Sequence, residues 1–337
     1  MITDREHSGQ QTEQSRWGFR GKRVWDWLAL LIVPFALVGF GLWFTGQQDQ
    51  RRQQIENQRA EAERELAEQR AQDEALQTYL DQMSRLLLES DLRESEVDSE
   101  VRTLARARTL TVLSRLDPSR KTAVMHFLGE AALIRRVEGR GPIINLSGAE
   151  LSEADLSGAE LPHTDLSYTD LSYADLRSAD LSRADLLHAD LSDAKLNDAH
   201  LNRASLYDVE LSEAELRNAD LPRADLGYAD LSDADLPHAD LSGAELNDAD
   251  LGHDDLLHAD LSRADLSEAD LRLIDFYKAD LSDADLYQAD LSEAEGISNE
   301  KLEQQAASLE GATMPNGQKY EDWLKDRERR EDEGENE

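Results

Sequence analysis

Leucine occupies every fifth position over about Asn145–Ala294, and the single exception is Phe276. Alanine usually stands two positions before each leucine, with Asp or Glu between them, as in Ala174–Leu176. A period of five fits neither an α-helix, which repeats at about 3.6 residues, nor a long strand, which alternates at about 2. The pattern predicts units that stack on one another, because five residues cannot bury a core alone.

Each unit is expected to form one side of a square coil, with the leucine and the alanine pointing inward and the other three positions facing solvent. The large inward-pointing residues are expected to form the core, and examples are Leu151, Leu156, Leu176, Leu221, Leu241 and Phe276.

The run Ala-(Asp/Asn)-Leu-x-x resembles the motif of the pentapeptide-repeat family over roughly Ile144–Glu295. The resemblance implies a right-handed quadrilateral parallel β-helix with four units per coil, hence about seven and a half coils and a rod on the order of 35 Å long. The predicted fold class is mostly β with α. This solenoid, at 144–295, is preceded by a transmembrane helix, a long charged helix and a small helical cap.

Some units depart from the motif at the small inward position. Thr164, Thr169, Val209 and Ile274 replace alanine there, and Asp254 places a carboxylate there. A buried carboxylate is costly unless it is hydrogen-bonded. Two interpretations stay open for Asp254: sequence drift accommodated by local widening, or a buried functional acid.

The charge of the chain is concentrated on the repeats. The chain has 72 acidic and 36 basic residues, for a net charge of −36. With four units per coil, residues twenty apart share a face, so the carboxylates form ladders about 5 Å apart. The ladder residues selected as recognition candidates are Asp175, Asp180, Asp185, Asp220, Asp225, Asp240 and Asp260. Such ladders attract cations or a basic protein and repel nucleic acid.

Two further groups on the repeats leave alternatives open. Lys195, His200 and Ser205 interrupt three ladders within one coil, either to relieve repulsion or to form a binding stripe. His238 and His258 are twenty apart and should stack on one face. They are either simply exposed or a pair of metal ligands, although two ligands alone are a weak metal signal.

An apolar segment near the amino terminus predicts a transmembrane helix at 24–45, after a disordered, basic-flanked segment at 1–23. About 20 mostly apolar residues are enough to cross a bilayer. Trp25, Trp27 and Trp43 lie near its ends, as interfacial aromatics do, and Pro34 lies within it. The prediction is a single-pass protein of the cell membrane, in contact with the lipid bilayer. Basic residues flank both ends, so the side on which the repeats lie stays undetermined.

The segment 47–92 predicts a long charged helix, because it is rich in Ala, Glu, Gln and Arg. Leu76, Leu80, Met83 and Leu87 follow alternating four- and three-residue steps, as in a coiled-coil seam. The seam predicts either a homo-oligomer through this helix or packing against a neighbouring helix of the same chain.

A helical cap is expected at 97–140. Asp117 followed by Pro118 predicts a helix start. These helices should cover the first coil, since an open β-helix exposes unpaired backbone groups and an apolar core. The order of anchor, helices and repeats also resembles bacterial membrane-anchored pentapeptide-repeat proteins.

After the repeats, a helix and cap are expected at 296–320, with Leu302, Leu309 and Met314 as candidates to plug the last coil. An acidic, disordered tail is expected at 321–337.

The sequence predicts no enzyme, no cofactor and no catalytic residue. The chain has no Cys, and the spacing of its carboxylates follows from the repeat. The predicted function is a membrane-tethered structural or interaction module that presents an acidic rod to a basic protein. The resemblance to the family supplies one alternative, because some members mimic DNA and protect DNA gyrase from quinolones. Binding of divalent cations along the ladders is the other alternative.

Overall fold

A computed structural model describes residues 24–135 and 141–334, with side chains placed from Ile32 onward except at 33, 49 and 331–334. The predicted segment 1–23 and the last residues of the predicted tail, 335–337, lie outside the described residues. The chain divides into two compact units, Met1–Glu68 and Gln69–Glu337.

The first helix, α1, runs without interruption over Val24–Glu89 and includes Pro34. The sequence predicts two elements here, a transmembrane helix at 24–45 and a charged helix at 47–92. The structure has one continuous helix instead, and it includes Gly46, which lies between the apolar segment and the charged one.

The prediction of a single-pass membrane protein is wrong. Within 24–135 and 141–334, no helix has a segment both long enough and apolar enough to cross a bilayer.

Two of the four predicted anchor residues have described side chains. Trp43 is exposed on α1, and Pro34 lies within the helix. The side chains of Trp25 and Trp27 lie outside the described residues.

The carboxyl-terminal part of α1 packs with α2 (Glu100–Leu113) and α3 (Pro118–Glu130). The Tyr79 hydroxyl shares a 2.9 Å hydrogen bond with the Thr109 hydroxyl, and burial raises the pKa of Tyr79. The four seam residues Leu76, Leu80, Met83 and Leu87 pack against this same core. The predicted coiled-coil seam is therefore used within the chain.

The cap helices begin where the sequence predicts. Asp117 is the N-cap of α3 and its side chain accepts a 2.9 Å hydrogen bond from the Arg120 amide, with Pro118 in the first turn. This confirms the predicted helix start, which satisfies an amide that would otherwise lack a partner.

The repeats form a coil of four five-residue sides. From Glu150 to Asp275, each residue before the inward leucine or Phe276 bridges in parallel to the residue twenty positions later, as Asp180 does to His200. Around the bridge between Glu150 and Asp170, the Leu151 amide donates to the Asp170 carbonyl at 2.7 Å, and the Asp170 amide donates to the Ala149 carbonyl at 3.0 Å. Within the described ranges each side contributes one such bridge rather than a longer strand.

A tight turn follows each side. The Ala154 amide donates to the Leu151 carbonyl at 3.1 Å, and Glu153 between them has a φ of 61°. A positive φ at the third residue is the requirement of a type II turn, which usually places Gly or Asn there. This chain places Arg, His, Tyr or Asp at most of these positions.

The leucines and alanines fill the interior of the coil. The representative large residues Leu151, Leu156, Leu176, Leu221, Leu241 and Phe276 are at most 2 % exposed. Removing such a leucine from water contributes roughly 1.5–3 kcal/mol, so the stack of leucines is the main source of stability of the solenoid.

The amino-terminal end of the coil is covered by side chains of the cap. Arg106 Nη2 donates to the Ser147 carbonyl at 2.6 Å, and Lys121 Nζ donates to the Ser152 carbonyl at 3.2 Å. In the next coil the equivalent carbonyls accept backbone amides, as Ser167 does from Gly148. The cap thus supplies the donors that a preceding coil would have supplied.

The other end closes with α4 (Asn299–Gln305) and two more sides, in which Ser308 bridges to Asp285 and Thr313 bridges to Asp290. The repeat stops at Gly296, where φ is 78° and a Cβ would lie 2.3 Å from the Tyr277 amide nitrogen. The three predicted plug residues Leu302, Leu309 and Met314 are all buried.

The segment after the cap differs from the prediction of a disordered tail at 321–337. Helix α5 occupies Tyr320–Gly334. Trp323 is buried, stacks on Tyr320 at 6.1 Å and lies under the Arg327 guanidinium at 5.0 Å. These contacts of Trp323, which the composition does not reveal, hold the otherwise charged segment in a helix.

Candidate interaction surface

The carboxylates that precede each leucine are part of the turns. Asp185 Oδ1 accepts a hydrogen bond from the Leu187 amide at 3.2 Å, and Asp240 Oδ1 accepts one from the Ser242 amide at 2.9 Å. This is an Asx-turn, in which a short side chain caps its own backbone two residues on. The same bond forms at Asp175, Asp180, Asp225 and Asp260. One oxygen of each carboxylate is thus structural. At Asp175 the second oxygen is also used, because it accepts a 2.5 Å hydrogen bond from Arg177 Nη2.

Proline removes this bond at Asp220. Pro222 stands two residues later and has no amide hydrogen to donate. Burial and the neighbouring Asp240 raise the pKa of Asp220. By contrast, the Ser282 hydroxyl and amide both donate to Asp280, and they lower its pKa. The ladder carboxylates therefore differ in pKa, depending on which donors surround them.

The interruptions of the ladders reduce repulsion between stacked carboxylates. The pKa of Asp175 is lowered chiefly by a hydrogen bond from Arg177, and Lys195 one coil above also lowers it. His200 acts on Asp220 in the same direction, against the larger effects of burial and Asp240. These shifts favour the interpretation of Lys195 and His200 as relief of repulsion.

The two residues after each leucine form the edges of the solenoid, and the four edges differ in chemistry. One edge stacks aromatic rings, with Tyr168 and His188 centroids 5.0 Å apart. Another brings His238 and His258 together at 4.9 Å with nearly parallel rings. The other two carry stacked arginines or stacked acids, at positions 183, 203, 223 and 193, 213, 233.

The histidine stack lacks the features of a metal site. His258 is exposed, and partial desolvation, Lys278 and His238 lower its pKa. Across the described ranges, no group of three or more His, Cys, Asp or Glu residues is placed to hold a metal ion.

Asp254 lies in the core, where the repeat has alanine. It is 2 % exposed, its Oδ1 accepts a 2.9 Å hydrogen bond from the Ala234 amide, and its Oδ2 has no partner. Burial, with added repulsion from Asp250 and nearby acids, raises its pKa to about 9. Backbone bonds beside it are long, as in the 3.4 Å bond from the Asp255 amide to the Ala234 carbonyl. The coil is widened there.

A groove of about 490 Å³ lies between α1 and α2 and is lined by Ala75, Tyr79 and Val112, among others. Its lining combines alanines, threonines and single charges, without a nucleophile beside a general base.

The sequence reasoning missed the edges. Apart from His238 and His258, the twenty-residue register was applied only to the residue before each leucine. Applying the same register to the second residue after each leucine would have placed Arg183, Arg203 and Arg223 in one column.

The bridges at twenty-residue intervals, the buried leucine column and the capped ends define a β-helical repeat protein. The model of the family described as pentapeptide repeats matches in 8 copies, over residues 144–183, 184–223, 219–253 and 255–294. The chain belongs to the pentapeptide-repeat family. Membership implies a right-handed β-helix, and members are generally structural or interaction modules rather than enzymes.

The chain is also similar to several solved structures. HetL, a pentapeptide-repeat protein involved in heterocyst differentiation regulation from Nostoc sp. strain PCC 7120, is 36% identical over 52% of this chain and 90% of its own, with a TM-score of 0.35. The Nostoc protein alr5209 is 38% identical over 34% and 84%, with a TM-score of 0.28. Trypsin-treated QnrB1, a plasmid-mediated fluoroquinolone resistance protein, is 21% identical over 51% and 84%, with a TM-score of 0.41. Among curated proteins no match is found.

Proposed function

We propose that this chain is a non-catalytic interaction module whose acidic solenoid binds a basic protein. The observation that carries the proposal is the register of the carboxylates. Asp185, Asp225 and Asp265 lie on one face in alternate coils, and backbone bridges through the intervening coils fix their positions. A rigid array of like charges binds an oppositely charged surface with little loss of conformational entropy.

The turns allow this charge to be removed without removing the fold. Asparagine offers the same Oδ1 acceptor to the amide two residues on, so Asp185→Asn, Asp225→Asn and Asp265→Asn should keep every Asx-turn of that face. The matched control carries the same three changes on another face, at Asp180, Asp240 and Asp260.

The test is affinity capture with the whole chain at low salt, comparing the native sequence with the two Asn variants. A basic protein that is recovered by the native chain and lost with one face variant supports the proposal and identifies the binding face. Recovery of no basic protein by the native chain, or equal recovery by all three chains, contradicts it. Raising the salt should release the partner, because the contacts are charged.

Mimicry of DNA is a second candidate, favoured by the presence of carboxylate ladders on all four faces. Duplex DNA has only negative charges along its backbone, whereas one edge here carries a column of arginines. If this chain acts on gyrase, adding it to purified gyrase should change supercoiling. Unchanged supercoiling would contradict this candidate.

Binding of divalent cations along the ladders is a third candidate. Hard cations prefer carboxylate oxygens, but they take six or more oxygen ligands in calcium sites. Titration calorimetry with calcium should show saturable heat if such sites form. Heat no greater than that of ionic screening would rule them out.

A further inference from the structure

One edge of the solenoid is basic although the chain as a whole is strongly acidic. Arg183, Arg203 and Arg223 lie one above another, because the Arg183 amide donates to the Asn202 carbonyl at 3.0 Å and the Arg203 amide donates to the Pro222 carbonyl at 3.1 Å. We call these three arginines the basic edge. Their spacing is that of adjacent coils, about 4.8 Å.

The guanidinium groups of the basic edge are exposed and have no hydrogen-bond or ion-pair partner in the part of the chain that the structure describes. Arginines at the first position after a leucine behave differently, because they pair with a ladder carboxylate. These pairs are Arg177 with Asp175, Arg217 with Asp235, and Arg272 with Asp270. The basic edge therefore keeps its donors free.

The surroundings of the middle arginine of the basic edge are also depleted of acid. The two ladders that flank Arg203 carry His200 and Ser205 at that coil, where most coils carry Asp. Asn202 beside it donates to Ser182, and both of these side chains are neutral. The interruption of the ladders and the column of arginines thus coincide in one region.

The edge half a coil away is acidic. Asp193, Glu213 and Asp233 follow the basic-edge arginines by ten residues each, which is two of the four sides, so they lie on the diagonally opposite edge. We call these three residues the acidic edge. Asp193 accepts a hydrogen bond from the Tyr173 hydroxyl, which raises the pKa of Tyr173.

We propose that solenoids of this chain associate side by side, with the basic edge of one copy against the acidic edge of a second copy. Both edges are built on the same coil spacing, so aligning one arginine with one carboxylate aligns the other pairs as well. Because the two edges lie on opposite sides of the coil, one copy keeps a free acidic edge and the other keeps a free basic edge. The contact is heterologous and can extend to a third copy.

A second copy fits the basic edge better than a nucleic acid does. DNA carries one negative charge per about 1.7 Å of its axis, a spacing that the arginines do not match. The carboxylate ladders on either side would also repel phosphates over a long surface. In a second copy, by contrast, the acidic edge repeats at the spacing of the arginines.

Net repulsion between two copies sets a distinctive salt dependence. The screening length is about 30 Å at 0.01 M salt, 8 Å at 0.15 M and 3 Å at 1 M. At low salt the whole charge of −36 opposes association. At intermediate salt this repulsion is screened while the close arginine–carboxylate pairs persist, and at high salt those pairs weaken too. Association should therefore pass through a maximum as salt is raised.

The experiment measures the mass of the whole chain by sedimentation over a range of concentrations and salt. One variant carries Arg183→Glu, Arg203→Glu and Arg223→Glu, and a second carries Asp193→Arg, Glu213→Arg and Asp233→Arg. Each variant alone should associate at least 10-fold more weakly than the native chain. Mixing the two variants should restore association, because the changed edges are again complementary.

The matched control carries Arg177→Glu, Arg217→Glu and Arg272→Glu, which change the net charge by the same amount at positions outside the basic edge. Circular dichroism establishes that each variant keeps the native fold. A native chain that stays monomeric at every salt concentration would overturn the proposal. Equal weakening in the control, association that persists in the basic-edge variant, or a mixture that fails to associate would each do so as well.

Discussion

At the scale of the residue, Asp254 is the most costly departure from the repeat. The family match is interrupted at this position, between residues 253 and 255. Its side chain occupies the space of an alanine methyl group, with one oxygen bonded to the Ala234 amide and the other unpartnered. The Ala234 amide also donates to the Leu231 carbonyl at 2.9 Å, so it does not need Asp254. The buried Asp254 carboxyl therefore destabilises the folded state at neutral pH.

Replacing Asp254 should therefore stabilise the solenoid. The pKa of Asp254 rises from an ordinary 3.8 to about 9 on folding. The folded state binds the proton more tightly, so its contribution to stability is full below pH 4 and is lost as pH rises toward 9. At pH 7 the loss is on the order of 4 kcal/mol. Asp254→Ala should raise the free energy of unfolding at pH 7 by a few kcal/mol, measured by denaturant titration.

Asp254→Asn separates ionisation from polarity in that experiment. It keeps an acceptor for Ala234 but cannot ionise, so it should flatten the pH dependence between pH 4 and pH 9 as the alanine variant does. It should stabilise less than alanine, because the amide nitrogen stays buried without a partner. A pH slope that survives in both variants would show that other groups cause it.

Pro222 leaves Asp220 without the Asx-turn donor that Asp280 has. Pro222→Ser supplies an amide and a hydroxyl to Asp220, as Ser282 does to Asp280. The pKa of Asp220, which burial and Asp240 now raise, should fall below its ordinary value. Carboxyl-carbon NMR titration measures this change. Pro222→Ala offers the amide alone and should give a smaller fall, and no fall in either variant would contradict the assigned role of the missing donor.

Leu273 is poorly suited to its turn. It is exposed and has a φ of 61°, a conformation that costs a residue with a Cβ roughly 1–2 kcal/mol and that Asn tolerates better. Leu273→Asn should raise the free energy of unfolding by about 0.5–1 kcal/mol. Asp283 occupies the same kind of position at a φ of 61°, so Asp283→Asn should change stability little. Destabilisation by Leu273→Asn would indicate that the leucine makes a contact worth more than the strain.

At the scale of the element, the cap completes the hydrogen bonding of the first coil. The Asp155 amide has no ladder carbonyl to receive it, and it donates to Thr122 Oγ1 of α3 at 3.0 Å. In later coils the equivalent amide donates to an alanine carbonyl, as Asp175 does to Ala154. The Thr122 hydroxyl therefore accepts the hydrogen bond that a carbonyl of a preceding coil would otherwise accept.

Thr122→Val should therefore destabilise the junction between α3 and the coil. Valine keeps the shape but leaves the Asp155 amide without a partner, which costs about 1–3 kcal/mol. Thr122→Ser keeps the hydroxyl and should cost less. Hydrogen exchange at the Asp155 amide measures the effect locally, and unchanged protection in the valine variant would contradict it.

The sequence predicts elements well where a single pattern dominates. The fivefold leucine specifies the coil, and Asp117 with Pro118 specifies the start of α3, because each rests on local chemistry. The seam of Leu76 and Met83 did not reveal its own partner, since a heptad spacing is the same whether it packs against another chain or against the next helix. The fold of α5 depends on a tertiary contact of Trp323, which its charged composition does not reveal.

The functional surface was predictable only in part, for the same reason. The ladders follow from the repeat, but the structural use of each Asp Oδ1 requires knowing the turn geometry. Predicting the four edges requires both the twenty-residue register of the coils and the order in which the four corners follow one another along the chain. Asp254 was recognisable as an exception from sequence, whereas its orphaned oxygen depends on what surrounds it.

At the scale of the whole molecule, electrostatic repulsion opposes the folded state. The net charge of −36 is spread over ladders whose members lie about one coil spacing apart. The basic edge sits among these ladders, so it should also stabilise each single copy. Its three arginines attract several carboxylates at once without pairing with any one of them.

Salt should therefore raise the thermal stability of the chain, most steeply below 0.15 M, where the screening length falls from about 30 Å to about 8 Å. Arg183→Gln, Arg203→Gln and Arg223→Gln should lower the Tm at low salt and have little effect at high salt, when measured in dilute protein to avoid association. Gln keeps much of the packing of the side chain while removing its charge. A Tm that is equal or higher in the Gln variant at low salt would show that the arginines do not offset the ladders. In that case the basic edge would contribute only to contacts with other molecules.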